Sequence, residues 1–306
     1  MLSVFLKRLI QSALILFGVA AITFVLLYAL PADPARMLAG RSATAQTVAN
    51  IRHELGLDQP LLVQFMHYIG GLVQGDLGRS YAQKTEVITL IAARLPATLT
   101  LMAAGILIEV VIGVTLGTLA ALNRGKFIDR AVMTTAFVGV SAPQFVVALL
   151  LLYVFAATLG WFPMSGYGTL SHVVLPAATL GILGAGWYAR MVRSAVVDVL
   201  NQDYVRTARA KGLSQRRIIL RHVLPNAVLP IIAMIGIDIG QFMGGVVVVE
   251  AVYGWPGIGQ LAWQAIQQVD IPIIMGVTLT SALAIIIGNL VADFLAPVID
   301  PRIRSN

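Results

Sequence analysis

The sequence contains no cysteine, which excludes a disulfide framework, a thiolate metal site and a cysteine nucleophile. Its four histidines stand apart at 53, 67, 172 and 222, none at helical ligand spacing from another, so no metal site is expected. Charge is scarce as well. Asp, Glu, Lys and Arg make up 11% of the 306 residues, against about 25% in an ordinary soluble domain. Hydrophobic residues reach 58%, and a water-soluble fold of this size could not cover itself with so few charges. The composition is that of a membrane protein. The formal charge of +7 does not argue for nucleic acid, because the positions of the basic residues follow membrane topology.

Crossing the hydrocarbon takes about 20 predominantly apolar residues. Six stretches meet or approach that length: 9–30, 98–122, 131–157, 173–189, 227–249 and 273–295. The fourth is shortest and carries Pro176, Gly181, Gly184 and Gly186. Lys7 and Arg8 precede the first run like the head of a signal peptide. A cleavable signal has an apolar core of only about 7–15 residues, so an uncleaved anchor is the better reading of this longer run.

With the N-terminus inside, all but six of the 21 Lys and Arg fall on the cytoplasmic side or in the terminal segments, as the positive-inside rule requires. The six (Arg36, Arg41, Arg52, Arg79, Lys84 and Arg94) share the loop 31–97, which is too long for the bias to govern. The outer loops 158–172 and 250–272 have neither residue type. Both termini are therefore expected in the cytoplasm. Three regions follow: an N-terminal span (1–30), an extracytoplasmic loop region (31–97) and a five-helix core (98–306). Within the loop, 44–55 reads as a short helix stopped by Gly56.

The segment 190–226 is too basic to enter the bilayer. Val196, Leu200, Tyr204 and Ala208 recur at four-residue spacing, one stripe of a helix. Gly212 suits the residue after its end, and Ser214 can cap the next helix. Ala208 and Gly212 form a small pair one turn apart, where a second backbone can approach. A solvated basic loop that merely enforces topology explains the charge. A docking element for a cytoplasmic partner explains the charge and the small residues together.

At this point the residues resemble a known family. Asp203-Tyr204-Val205-Arg206-Thr207-Ala208-Arg209-Ala210-Lys211-Gly212, followed by Leu224-Pro225, resembles the "EAA" loop of ABC importer permeases in its dipeptide, oligopeptide and nickel branch. Arg206 and Thr207 depart from the pattern's Glu-Ala, and His222 stands at its Ile. Further similar motifs follow in order. They are Leu30-Pro31-Ala32-Asp33-Pro34, Gly56-Leu57-Asp58-Gln59-Pro60, Gly75-Asp76-Leu77-Gly78-Arg79-Ser80 and Arg94-Leu95-Pro96-Ala97-Thr98-Leu99. Gly139-Val140-Ser141-Ala142-Pro143, Leu175-Pro176-Ala177, Tyr253-Gly254-Trp255-Pro256-Gly257-Ile258-Gly259 and Asp300-Pro301-Arg302 complete the set.

The resemblance implies an all-α membrane protein of six transmembrane helices, type I ABC importer permease-like, with a cytoplasmic coupling helix between spans four and five, around 207–214. It implies an inner-membrane permease that takes up peptides and binds no cofactor of its own. A homologous second permease, two cytoplasmic ATPases holding ATP and Mg, and an extracytoplasmic solute-binding protein would be its partners. The ATPase-coupling interface would comprise Tyr204, Arg206, Thr207, Ala208, Lys211, Gly212, Leu213, Ser214, Leu224 and Pro225. Independently, the chain has no G-x-x-x-x-G-K-[ST] phosphate loop: its Gly125-Lys126 lacks the glycine five residues earlier. Any ATPase is another chain, and no enzyme activity is expected here.

Glu109, Asp238 and Asp293 fall inside apolar spans, and Glu250 ends span five. A charge at mid-bilayer costs roughly 2.5–3.5 kcal/mol on insertion scales and marks a function by default. Asp293, close to the end of its span, also fits a packing or interfacial role. Around Asp238, Gly236, Gly240, Gly244 and Gly245 fit both tight helix packing and pathway lining. Glu109 and Asp238 are the pathway candidates, placed to meet the ammonium end of a peptide. Pro143 and Pro176 permit kinks, and Trp161 and Trp255 fit interfacial anchoring. An intramembrane serine protease is excluded because no span holds a histidine. The remaining alternative is an ion-coupled secondary transporter using Glu109 and Asp238.

Overall fold

A computed structural model describes residues 2–29, 33–40, 42–227 and 229–299. Leu30-Pro31-Ala32, Arg41, Asp300-Pro301-Arg302 and the Asp293 side chain lie outside the described residues. Apart from one isolated bridge between Arg79 and Glu86, the regular structure described is helical. Among the described residues four helices are long and apolar enough to cross a membrane, and up to six spans result when each of two bent pairs counts as one.

The first compact unit takes Met1–Thr98, Met243–Val247 and Pro256–Ile286. It opens with α1 (Leu2–Ala29), then α2 (Pro34–Ala39), α3 (Ala45–Glu54) and α4 (Leu61–Val73). The expected loop helix is α3: the Thr44 hydroxyl accepts the Thr47 N–H at 3.2 Å, and Gly56 follows at φ +66°. α4 did not show in the sequence reading. It lays Phe65 and Tyr68 against Phe24 of α1, with ring centres 5.1 and 6.0 Å apart, and Ile271 and Met275 join the cluster.

The second unit takes Leu99–Phe242, Val248–Trp255 and Ile287–Asn306. α5 (Val87–Leu122) runs into it, well before the apolar stretch begins, with Pro96 inside the helix. Span three is broken rather than kinked. α6 (Phe127–Ser141) and α7 (Gln144–Leu151), which continues as a π-helical turn to Thr158, meet at 102°. Pro143 has no N–H to continue the ladder, and it forces Ala142 out of the helical region to ψ 133°. Pro176 has no such effect. It sits buried in α8 (Leu170–Leu200), which stays continuous.

α8 overruns its apolar stretch and corrects the reading of 190–226. That segment is broken twice: α8 ends at Leu200, α9 (Asp203–Ala210) follows, and a turn precedes α10 (Gln215–Ile218). A π-helical turn (Ile219–Val223) and α11 (Leu224–Ala227) lead to α12 (Leu229–Gly245) and α13 (Val247–Val252). The chain then forms α14 (Ile258–Gln268) and α15 (Ile271–Ile299). Trp255 is also corrected. It is fully buried, its ring edge-on to Tyr167 at 4.9 Å, so it is a core residue and no interfacial anchor. Trp161 remains exposed.

Candidate functional site

The site begins with a run of small residues on α5. Leu101, Gly105, Glu109, Gly113 and Gly117 are all buried at four-residue spacing, one face of a helix. A Cβ on Gly117 would stand 2.6 Å from the Ala189 carbonyl oxygen, and one on Gly113 would overlap the Tyr188 side chain. The backbones of α5 and α8 thus approach as only small residues permit. Gly184 on α8 is the counterpart opposite Glu109: a Cβ there would overlap the Glu109 carboxyl group. Gly105, Gly113 and Gly117 were missed in the sequence, although their fixed spacing was the signal.

Glu109 is 2% exposed, and its Oε2 has no hydrogen-bond partner among the described residues. Beside it lies Asp238 of α12, whose carboxylate accepts the Tyr188 hydroxyl. The two carboxyls, read from positions far apart in the chain, therefore share one place. With Tyr188, Trp187, Arg190 and Gln241 they line a cavity of about 810 Å³. Asp238 both packs, through Tyr188, and faces open space. Arg190 holds its guanidinium carbon 4.3 Å from the centre of the Trp187 ring, a cation–π contact. The wall thus carries acids from α5 and α12 and a base from α8. Among the described residues no group of three or more His, Asp or Glu is placed to hold a metal ion.

Below the cavity on α8, Arg193 forms a two-pronged ion pair with Asp129 at 2.5 and 2.7 Å. Asp129 is 4% exposed and also accepts the Gly125 N–H at 2.8 Å. The turn between α5 and α6 is thereby tied to α8.

The 203–225 segment divides its named residues by face. Val205 and Ala208 of α9 are buried against Val192 and Val196 of α8, with Val223 in the same cluster. Ala208 therefore turns toward its own chain, and the stripe 196-200-204-208 breaks between α8 and α9, with Val205 inward and Tyr204 outward. Leu213 and Leu224 are half-buried against the same cluster. Tyr204, Arg206, Thr207, Lys211, Gly212, Ser214 and Pro225 are exposed. Gly212 takes φ +75° with open space around it, and Ser214 stands at the start of α10 without a capping hydrogen bond from its side chain.

In the first unit a second constellation escaped the sequence reading. Asp270 is fully buried. It accepts the Ser80 hydroxyl at 2.5 Å and the Tyr81 and Ala82 N–H groups at 3.2 and 3.0 Å. The Gly75–Ser80 motif is held by a residue from the junction of α14 and α15. Two other motifs meet similarly: Thr98 Oγ1 accepts the Ile258 N–H at 2.8 Å, and Arg94 donates to Gln260 at 3.1 Å.

Comparison with known proteins covers the whole chain. The family described as "Binding-protein-dependent transport system inner membrane component" matches residues 113–305, and its N-terminal counterpart matches residues 1–102. The glutathione transport system permease protein GsiC of Salmonella choleraesuis (strain SC-B67) is 43% identical over 304 residues, 99% of each chain. Its counterpart in Escherichia coli (strain K12) is 42% identical over the same length and the same shares. Among solved structures, a chain of the MetNI methionine ABC transporter in inward-facing conformations matches with TM-score 0.59 and 18% identity. That match covers 69% of this chain and 96% of the other. A chain of an amino acid ABC transporter with histidines matches with TM-score 0.53 and 16% identity, covering 68% and 94%. At those identities the likeness is one of fold.

Proposed function

The chain belongs to the family of binding-protein-dependent transport system inner membrane components, and from that premise we propose that it carries short peptides. As a member it is a membrane-spanning permease subunit of a peptide-type ABC importer with a type I permease fold, and it performs no chemistry itself. The finer reading concerns the solute, the partners and the coupling. The observation that carries it is the cavity lined by Glu109 and Asp238. One of its buried carboxyl oxygens, Glu109 Oε2, has no hydrogen-bond partner among the described residues, and a peptide's ammonium group is the natural complement. The relatives' named solute, glutathione, is itself a short peptide. Family membership removes the ground for the ion-coupled alternative.

In this reading the termini lie in the cytoplasm, a solute-binding protein delivers peptide from outside, and a homologous permease completes the pathway. Two ATPases hold ATP and Mg, and one of them docks on the exposed face of α9 and the turn that follows. Tyr204, Arg206, Thr207, Lys211 and Gly212 form that face. Ala208 and Val205 do not touch the partner but fix α9 to α8.

Two measurements test this. Purified from its host in mild detergent, the chain is expected to bring a second permease and ATPases whose ATP hydrolysis rises with peptide-loaded binding protein. A lone chain without ATPase would overturn the reading. Gly212→Trp should then abolish the stimulated hydrolysis. Gly212→Asn, which tolerates positive φ without bulk, should retain it. Equal stimulation in both variants would mean that the docking surface lies elsewhere.

A further inference from the structure

The acids at one part of the cavity leave the base at another unexplained. Arg190 is exposed, pairs with no carboxylate among the described residues, and is held over Trp187. A guanidinium that only fixed topology would extend into water or toward lipid headgroups. This one stays stacked on a wall of the cavity that also holds the buried Glu109, whose Oε2 has no hydrogen-bond partner among the described residues.

The spacing of these groups carries chemical meaning. Gly184 marks the level of the Glu109 carboxyl on α8, and Arg190 lies about 9 Å further along the helix axis at 1.5 Å per residue. Its guanidinium folds back over Trp187, so the charges are offset by about 4–9 Å along the axis, and the lateral distance across the cavity lengthens their separation further. An extended chain of two or three residues measures about 7–11 Å. Opposite charges at that separation complement a small zwitterion, with its ammonium toward Glu109 and Asp238 and its carboxylate toward Arg190.

We infer that the cavity is a dipolar binding site for short peptides with both termini free, with Arg190, stacked on Trp187, as the subsite for the terminal carboxylate. This deepens the peptide reading above and rests on it. The guanidinium offers two parallel donors to a carboxylate. The stack on Trp187 keeps those donors oriented and limits the side-chain entropy lost on binding. Selection at this site would follow selection by the binding protein and would reject blocked peptides that escaped it.

The test uses the assembled importer in lipid nanodiscs without its binding protein, so that only the membrane site is read. Labelled triglycine is the probe, with unlabelled triglycine, N-acetyl-triglycine and triglycine amide as competitors. Triglycine should bind saturably, and each blocked form should compete about tenfold or more weakly, the loss of one charge-assisted contact. Arg190→Gln, which removes the guanidinium and its stack on Trp187 at an exposed position, should erase the preference for a free carboxylate and keep that for a free amine. Glu109→Gln combined with Asp238→Asn should do the reverse.

Competition by blocked peptides as strong as by triglycine overturns the inference. So does loss of both preferences together in Arg190→Gln. Absence of saturable triglycine binding, in an importer whose hydrolysis still responds to loaded binding protein, overturns the dipolar site and leaves the importer reading standing. Absence of that response as well removes the reading on which the site rests.

Discussion

Two carboxylates of the first unit, Asp58 and Asp270, differ in what they hold. His53, in the last turn of α3, meets Asp58 at 2.6 Å. The hydrogen bond to Asp58, and then its charge, raise the His53 pKa, and the same hydrogen bond lowers that of Asp58. The His53 contribution is present below its unfolded pKa and is lost as pH rises through the raised folded value. The Asp58 contribution is present above its unfolded pKa and is lost as pH falls through the depressed folded value. The pair is therefore complete only between the two folded values. Ring chemical shifts of His53 should titrate above the usual histidine range and return to it in Asp58→Asn; an unmoved midpoint would show that the pair does not form. Asp270 carries a heavier burden. Its two oxygens accept three donors in a fully buried place. Asp270→Asn turns an amide N–H toward one of those donors, at a cost of about 1–3 kcal/mol. A lowered unfolding temperature in detergent is expected, and an unchanged one would mean that the loop 76–86 holds without this carboxylate.

At the scale of elements, the contact between α5 and α8 is set by glycine. Gly113→Ala must push Tyr188 aside, which should destabilise the chain by about 1–3 kcal/mol. Gly70→Ala, in α4 with nothing within 4 Å of the added carbon, should stabilise it by about 0.5–1 kcal/mol. Thermal unfolding of the two variants should shift in opposite directions; a shared direction would mean that the close approach of α5 to α8 is relaxed in the membrane.

These elements also show how far the sequence could be read. Apolar length alone located the regions of the six spans, and the loop helix ended where Thr44 and Gly56 said it should, because cap chemistry is local. The end of α8 was misread because Arg190 and Arg193 looked like the border of a span. In fact Val192 and Val196 continue the buried face below them, and Arg193 is neutralised by Asp129. α14 sits in a loop too short and mixed for a span, so apolar length did not reveal it. Glu109 and Asp238 were found because charge in an apolar run is conspicuous. Their meeting was not, since nothing local links α5 to α12. Asp270 was missed for the same reason: its partners at Ser80, Tyr81 and Ala82 lie far away in the chain.

For the molecule as a transporter, the decisive part is α8. One continuous helix, about 46 Å long at 1.5 Å per residue, carries Gly184, Tyr188 and Arg190 of the cavity. It also carries Arg193 of the ion pair and Val192 and Val196, against which α9 packs. A displacement of α9 by a docked ATPase would therefore reach the cavity through packed side chains and an unbroken hydrogen-bond ladder, a rigid-body route. Ala195→Pro tests this. It removes the N–H bond to Met191 and sets the ring against that carbonyl, kinking or breaking the helix at a cost of about 3 kcal/mol. The kink would fall beyond Arg190 and ahead of Val196. Triglycine binding should survive, because the cavity's charged groups precede the kink, while hydrolysis stimulated by loaded binding protein should fall to the unstimulated level. Normal stimulation in a variant that still assembles would show that the signal bypasses α8. The buried contacts of Val205 and Ala208 would then serve stability alone.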